Sequence, residues 1–201
     1  MVSTTTDTPA LKSALKAVFT TLQKTPQTDI EKAVSKLVAR LASQPTSTFL
    51  DLLILRLDKQ FPNDVGTFCA LMLNYVHLKS GDAIFLAANE PHAYLSGDCV
   101  ECTHLFLTSL IMIIGMAASD NVVRSGLTPK FKDVDTLVEM LTYNFGSADS
   151  QILKGSAYSP QTPNTREYNP PIEEFSILQT LLPKEAKETV TGIQGTFCRL
   201  F

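Results

Sequence analysis

The chain has 201 residues, of which 44% are hydrophobic and 18% are charged, and its formal net charge is −3. These values predict a soluble globular protein with a sizeable core. The absence of any basic run excludes the electrostatic pattern that nucleic-acid binding requires. Residues 1–16 carry no charged stretch followed by an apolar one, so we expect no secretory signal. Four cysteines in a chain of this length indicate a reducing cytoplasmic location rather than a disulfide scaffold.

The first sixty residues have the apolar period of helices. Apolar side chains recur every three or four residues, which predicts an amphipathic helical layer. In the second helix, Thr28 and Glu31 have the spacing of a capping box. The predicted helices cover residues 9–24, 28–43 and 46–62.

The pattern then changes to short alternating runs separated by turns. Residues 74–78 and 83–88 are rich in β-formers, and the sequence KSGDA between them predicts a turn. Short strands with frequent turns are typical of a sandwich or barrel. Beyond them, the sequence predicts a short helix over 133–144, a proline-rich connection over 159–171 and a few strands in the remaining tail. The predicted fold class is therefore α+β, a helical layer followed by β-strands.

His92 follows a tight turn and is a candidate metal ligand. A single histidine is not specific for a metal, and a packed or hydrogen-bonded side chain is the commoner alternative. Cys99 and Cys102 form a C-x-x-C motif, with His104 close behind. A single C-x-x-C motif without a second pair is a weak signal for zinc or redox chemistry.

Arg124 and Lys130 are two cations that flank the turn SGLTP. Fixed cations at this spacing could bind a phosphate group. The same residues could equally belong to a solvated loop, and the spacing alone favours the loop.

Two long motifs give these residues a context. The stretch EPHAYLSGD, at 90–98, and the stretch SDNVVRSGLTPKFKDV, at 119–134, resemble type I mannose-6-phosphate isomerase (phosphomannose isomerase). The resemblance implies a zinc-dependent cupin, or jelly-roll, enzyme that interconverts mannose 6-phosphate and fructose 6-phosphate, with a role in GDP-mannose biosynthesis. It also implies a helical domain over 1–65, the C-terminal part of the catalytic cupin domain over 66–150, and the start of a truncated C-terminal β-domain over 151–201.

The resemblance further implies roles for individual residues. His92 matches a zinc ligand, Arg124 an arginine needed for catalysis, and Lys130 a lysine that faces the phosphate. Isomerisation passes through an enediolate, so a metal or a cation must stabilise the developing oxyanion charge. Three further residues match positions that line the substrate pocket: Tyr94, Glu101 and Asp120.

The zinc site that the resemblance implies needs more donors than His92. The family's other ligands are a Gln-x-His pair and a glutamate from a more N-terminal part, and none of the three histidines here follows a glutamine by two positions. One imidazole cannot form a tetrahedral zinc site with an open position. We therefore expect a partial chain that binds zinc weakly and is inactive by itself.

Residues 103–115, THLFLTSLIMIIG, interrupt the order that the family resemblance predicts. Removing them joins Cys102 to Met116 and restores that order, and codons exist that would place GT and AG intron borders there in frame. We favour a translated, unspliced intron. A natural loop insertion is the second interpretation, and a membrane segment is the third, although about fourteen apolar residues fall short of the ~20 that a spanning helix needs.

Two other classes of function remain open. One is a non-catalytic interaction module derived from the isomerase, which would associate with a partner without turnover. The other is a thiol or metal protein that uses Cys99, Cys102 and His104.

Overall fold

The computed structural model describes residues 8–99, 122–173 and 175–191. In these ranges a group of helices is followed by small antiparallel sheets, so the predicted α+β class is confirmed. The helices are α1 (Thr8–Lys24), α2 (Gln27–Ala42), α3 (Phe49–Gln60), α4 (Gly66–Cys69) and α5 (Val134–Met140), with a 3₁₀ helix over Ala148–Gln151. The strands are β1 (Ala83–Ile84), β2 (Ile152–Leu153), β3 (Ser156–Ser159), β4 (Thr162–Tyr168) and β5 (Ile177–Thr180).

The three long helices form where the apolar period predicts them, but the capping box lies elsewhere. Helix α2 begins at Gln27 with Pro26 as its N-cap and no side-chain cap, so the prediction for Thr28 is wrong. Thr28 lies inside the first turn, where its hydroxyl cannot cap the helix. Helix α3 has the capping box instead. The Asp51 N–H donates to Thr48 Oγ1 over 3.2 Å, and the Thr48 N–H donates to Asp51 Oδ2 over 2.7 Å.

Two apolar clusters hold the helices together. The first joins Phe19 of α1 to Cys69 of α4 and to Leu137 and Val138 of α5. The second is formed by Ile30, Val34 and Val65, with Leu22 packed against both clusters. Helix α5 therefore belongs to the helical layer, although it lies more than sixty residues further along the chain than α4.

The hairpin that the sequence predicts between 74–78 and 83–88 does not form. Residues 74–78 are not a strand, and two of their side chains contact distant elements. Asn74 Nδ2 donates to Gly146 O over 2.8 Å, and the Tyr75 ring packs on Phe49 with centroids 4.4 Å apart. Only Ala83 and Ile84 are β-structure in this region, and they pair antiparallel with β2.

The proline-rich segment 159–171 is also not a simple connection. It contains β4, the central strand of the sheet β3-β4-β5, with Thr162, Thr165 and Tyr168 buried along it. Pro163 is tolerated because the pairing of β4 with β5 begins only at Thr165 and its register with β3 is interrupted between Thr162 and Arg166. Of the few strands predicted in the tail, the described residues contain one, β5.

The helix predicted over 133–144 is shorter than expected. The Asp133 carboxylate caps its start by accepting from the Thr136 N–H over 3.1 Å. Leu141 is extended and ends the helix. Tyr143 then folds back, and its hydroxyl donates to Val138 O over 2.8 Å.

Helices long and apolar enough to cross a bilayer are absent from the ranges that the structure describes. The inserted residues 103–115 lie outside those ranges, as do Cys102 and His104, so their three interpretations stay predictions. The domain boundaries at 65 and 150 also remain predictions.

Candidate functional site

An open groove of about 450 Å³ lies between α3 and two loops. One loop is the His–Tyr turn, residues 90–97, and the other is the Arg–Lys loop, residues 124–130. These loops carry the two motifs that the sequence singles out, so the fold brings both to one surface. The groove is lined by Leu57, Gln60, Phe61, Ala93, Tyr94, Leu95, Gly126 and Leu127.

Arg56 of α3 holds one end of the His–Tyr turn. Its Nη2 donates to Leu95 O over 2.5 Å, and its Nη1 donates to Ser96 Oγ over 3.5 Å. A guanidinium with several fixed donors suits this role because it can bind a carbonyl and a hydroxyl together. Sequence reasoning missed Arg56, since an arginine on a helix reads as part of a solvated face.

Glu90 holds the other end of the same turn. Its Oε1 accepts from Thr142 Oγ1 over 3.0 Å and from Asn144 Nδ2 over 2.6 Å. Its Oε2 accepts from Gln151 Nε2 over 3.4 Å. These three donors come from a segment more than fifty residues away, so no local pattern around Glu90 indicates them. The carboxylate nearest to His92 in sequence is therefore engaged in fixing the turn.

The His92 ring is oriented by its own turn. Its Nδ1 lies 2.9 Å from Glu90 O, and its ring meets Tyr94 edge-on with centroids 5.7 Å apart. A carbonyl oxygen can only accept, so Nδ1 carries the proton in this hydrogen bond. In the neutral ring Nε2 then carries the lone pair that a metal ligand or a proton acceptor requires. Both side chains are exposed.

Asp64 fixes the Arg–Lys loop. Its Oδ1 accepts from the Gly66 N–H over 2.6 Å and from the Leu127 N–H over 2.7 Å. Its Oδ2 lies 3.7 Å from Lys132 Nζ. The Asp64 side chain is only 12% exposed, so the carboxylate is a buried acceptor that joins the helical layer to the loop. Nothing in the sequence near Asp64 indicates this contact.

A second contact lies at the start of the Arg–Lys loop. Gln23 of α1 is buried, and its Nε2 donates to Ser125 Oγ over 2.8 Å. Ser125 Oγ also lies 3.8 Å from Cys69 Sγ. Burial raises the pKa of the Cys69 thiol, so this cysteine is a packing residue rather than a reactive one. Cys99 is exposed and not in a disulfide.

The two cations of the Arg–Lys loop remain accessible. Arg124 is half-buried, and its Nη1 donates to Val122 O over 3.3 Å. Lys130 is exposed, and its backbone N–H donates to Thr128 Oγ1 over 3.2 Å. Neither side chain forms an ion pair with an aspartate or glutamate of the described segments. Glu101 and Asp120, the other predicted substrate-binding residues, lie outside those segments.

The described residues do not fit a zinc ion. In residues 8–99, 122–173 and 175–191, no three His, Cys, Asp or Glu side chains converge as a metal site would require. The Glu90 carboxylate accepts from Thr142, Asn144 and Gln151 instead. His92, Arg124 and Lys130 lie on the same two loops as Ala93, Tyr94, Leu95, Gly126 and Leu127, which line the groove.

Comparisons with known proteins agree with the two motifs. A sequence model described as phosphomannose isomerase type I, helical insertion domain, matches residues 2–73. The mannose-6-phosphate isomerase of Ogataea parapolymorpha is 44% identical over 195 residues, which is 94% of this chain. This chain is a relative of the type I mannose-6-phosphate isomerases.

Two other mannose-6-phosphate isomerases give the same result. The mannose-6-phosphate isomerase of Saccharomyces cerevisiae is 45% identical over 92% of the chain. The crystal structure of the apo mannose 6-phosphate isomerase from Salmonella typhimurium superposes with a TM-score of 0.64 at 28% identity, over 83% of this chain and 38% of that one. The chain spans 42% of the length of both curated isomerases.

Proposed function

We propose that these 201 residues carry the substrate-facing cations of a mannose-6-phosphate isomerase. The observation that carries the proposal is the groove, because residues of both family motifs line it together. The relatives are named for interconverting mannose 6-phosphate with its isomer, and the resemblance gives the product as fructose 6-phosphate. A sugar phosphate is therefore the proposed ligand.

Lys130 and Arg124 are assigned different roles in binding and isomerisation. A phosphate dianion needs fixed positive charge, which Lys130 supplies at the exposed end of the Arg–Lys loop. Isomerisation moves a proton between C1 and C2 and develops negative charge on the adjacent oxygen. Arg124 is always protonated and is held on a fixed loop, so it is the group we assign to stabilise that charge.

Zinc, which the family resemblance implies, would supply the larger part of that stabilisation. His92 is the one donor that we assign to it here, through Nε2. Since the described residues provide no complete donor set, we propose that the chain alone binds zinc weakly and does not turn over substrate. Catalysis would require the Gln-x-His pair and the glutamate that the resemblance implies.

Binding of fructose 6-phosphate tests the proposal without relying on turnover. Isothermal titration of the chain should give one saturable site that weakens by about tenfold in Arg124→Ala and in Lys130→Ala, as loss of a charge-assisted contact predicts. Lys187→Ala removes an exposed lysine outside the groove and should leave the dissociation constant unchanged. Equal weakening in all three variants would show nonspecific ionic binding and contradict the proposal.

A second candidate function is the non-catalytic interaction module. Phe49 and Leu52 lie on one side of α3 and are 57% and 56% exposed, beside an exposed Tyr75. Exposed apolar residues in a cluster are typical of association surfaces. If the module interpretation holds, the chain should associate with a partner and show no sugar phosphate binding.

A further inference from the structure

We infer that Asp64 is a positioning residue for the Arg–Lys loop. Its carboxylate Oδ1 accepts from two backbone N–H groups at once, those of Gly66 and Leu127. One of these belongs to the helical layer and the other to the loop that carries Arg124 and Lys130. The contact itself is a property of the fold, whereas its importance for substrate rests on the function proposed above.

The hydrogen bond from Leu127 supports an unusual backbone conformation in the loop. Leu127 has a φ of 53°, a left-handed conformation that non-glycine residues rarely adopt without support. Its N–H is aimed at Asp64 Oδ1, so the hydrogen bond holds the residue in that conformation. An ideal Cβ on Gly126 would lie 2.6 Å from Gly66 Cα, so the two backbones are already in contact at this point.

The surroundings of Asp64 explain why this position carries an aspartate. The side chain is 12% exposed, and its second oxygen faces Lys132 Nζ at 3.7 Å. A carboxylate accepts through both of its oxygens, so Oδ1 can bind the two backbone N–H groups while Oδ2 faces the lysine. Gln23 adds a separate contact to Ser125, so the loop is held at two of the residues that directly follow Arg124.

Amide hydrogen exchange tests the contact independently of any ligand. In Asp64→Ala the Leu127 N–H should exchange about tenfold faster relative to buried α2 amides, because its acceptor is lost. Asp58→Ala is the matched control. Asp58 Oδ1 accepts from the Asn63 N–H over 3.0 Å nearby but does not touch the loop, so the Leu127 rate should stay unchanged. Asp64→Asn keeps one acceptor oxygen and should recover most of the protection.

Sugar phosphate affinity then tests the link to function. The dissociation constant for fructose 6-phosphate should rise about tenfold in Asp64→Ala, recover largely in Asp64→Asn and stay unchanged in Asp58→Ala. If the chain without substitutions binds no sugar phosphate, the proposed function fails while the exchange experiment still decides the role of Asp64.

The inference is overturned if Asp64→Ala and Asp58→Ala change the Leu127 exchange rate equally. It is also overturned if exchange accelerates while a measurable sugar phosphate affinity does not change. If Asp64→Ala does not fold, the scalar coupling across the hydrogen bond from the Leu127 amide nitrogen to the Asp64 carboxylate carbon decides the matter in the unchanged chain. Its absence would contradict the assignment.

Discussion

Gly126 shows how closely single residues constrain the candidate site. A Cβ there would lie 2.6 Å from Gly66 Cα and 2.8 Å from Asp64 Oδ1, so Gly126→Ala must move one backbone away from the other. We expect the free energy of unfolding to fall by about 2 kcal/mol or more. Gly97→Ala is the control. Gly97 has a φ of +109° but open space around it, so only the backbone cost of roughly 1 kcal/mol applies.

Chemical denaturation of the two variants measures this difference. An equal loss in both would show that the contact between Gly66 and Gly126 relaxes without cost.

Tyr168 joins the three-stranded sheet to the turn at residues 79–82. The side chain is buried, and its hydroxyl donates to Gly81 O over 2.6 Å. Tyr168→Phe should lower the free energy of unfolding by about 1 kcal/mol, because the Gly81 carbonyl loses the donor that the buried tyrosine supplies. Tyr158→Phe removes a more exposed hydroxyl, which donates to Thr191 O over 3.1 Å, and should cost less. Thermal or urea unfolding that ranks the two variants in the opposite order would contradict this account.

At the scale of elements, the capping box of α3 sets where that helix begins. Thr48→Ala should lower the unfolding midpoint by roughly 2–4 °C, as loss of an N-cap does in a chain of this size. Thr28→Ala removes a threonine from the first turn of α2 that caps nothing, and its midpoint should change little. Equal shifts of the midpoint in the two variants, measured by circular dichroism, would show that the Thr48 cap does not contribute to stability.

The capping box of Thr48 and Asp51 also predicts that stability depends on pH. Donation from the Thr48 N–H, and then from its hydroxyl, lowers the pKa of Asp51 below its ordinary value of 3.8. A carboxyl whose pKa is lower in the folded state stabilises the fold above its unfolded pKa, and this stabilisation is lost as pH falls through the folded value. The difference in midpoint between the chain and Asp51→Asn should therefore shrink below pH 3.8. A difference that grows on acidification would contradict the assignment.

The helices could be predicted because their apolar period lies within one segment. Most strand pairs could not be predicted from such a local pattern. The period of α1, α2 and α3 can be read within single segments of about sixteen residues. Strand β1 pairs with β2, which lies almost seventy residues later, and no turn signal between 74–78 and 83–88 could indicate that. The proline content of 159–171 concealed β4 because only the position of Pro163 relative to β5 makes it acceptable.

In the candidate site, too, some residues could be predicted from the sequence and others could not. The sequence points to His92 and Arg124 through motifs that resemble a known family. The residues that hold those motifs in place are Arg56, Asp64 and Glu90, and each acts on a segment at least thirty-nine positions away. A single sequence contains no record of such distances, so these residues emerge only from the fold.

At the scale of the whole molecule, the apolar insert, residues 103–115, is predicted to lower solubility and stability. Residues 103–115 include a nearly continuous apolar run, which favours aggregation if exposed. Deleting 103–115 should raise the soluble yield and the unfolding midpoint. Replacing Leu107, Ile111 and Ile113 with serine at unchanged length is the control, and should raise the yield if apolar character is the cause. An unchanged yield after deletion would favour the natural loop insertion.

The most direct measurement of the central claim is a coupled assay for fructose 6-phosphate formed from mannose 6-phosphate. The 201-residue chain alone should show no turnover above background. Joined to a segment that carries the Gln-x-His pair and the glutamate, and with 103–115 deleted, it should turn over substrate in a manner abolished by Arg124→Ala. Turnover by the chain alone that disappears in Arg124→Ala would contradict the account, because the residues present would then suffice without the further zinc donors that the family resemblance implies.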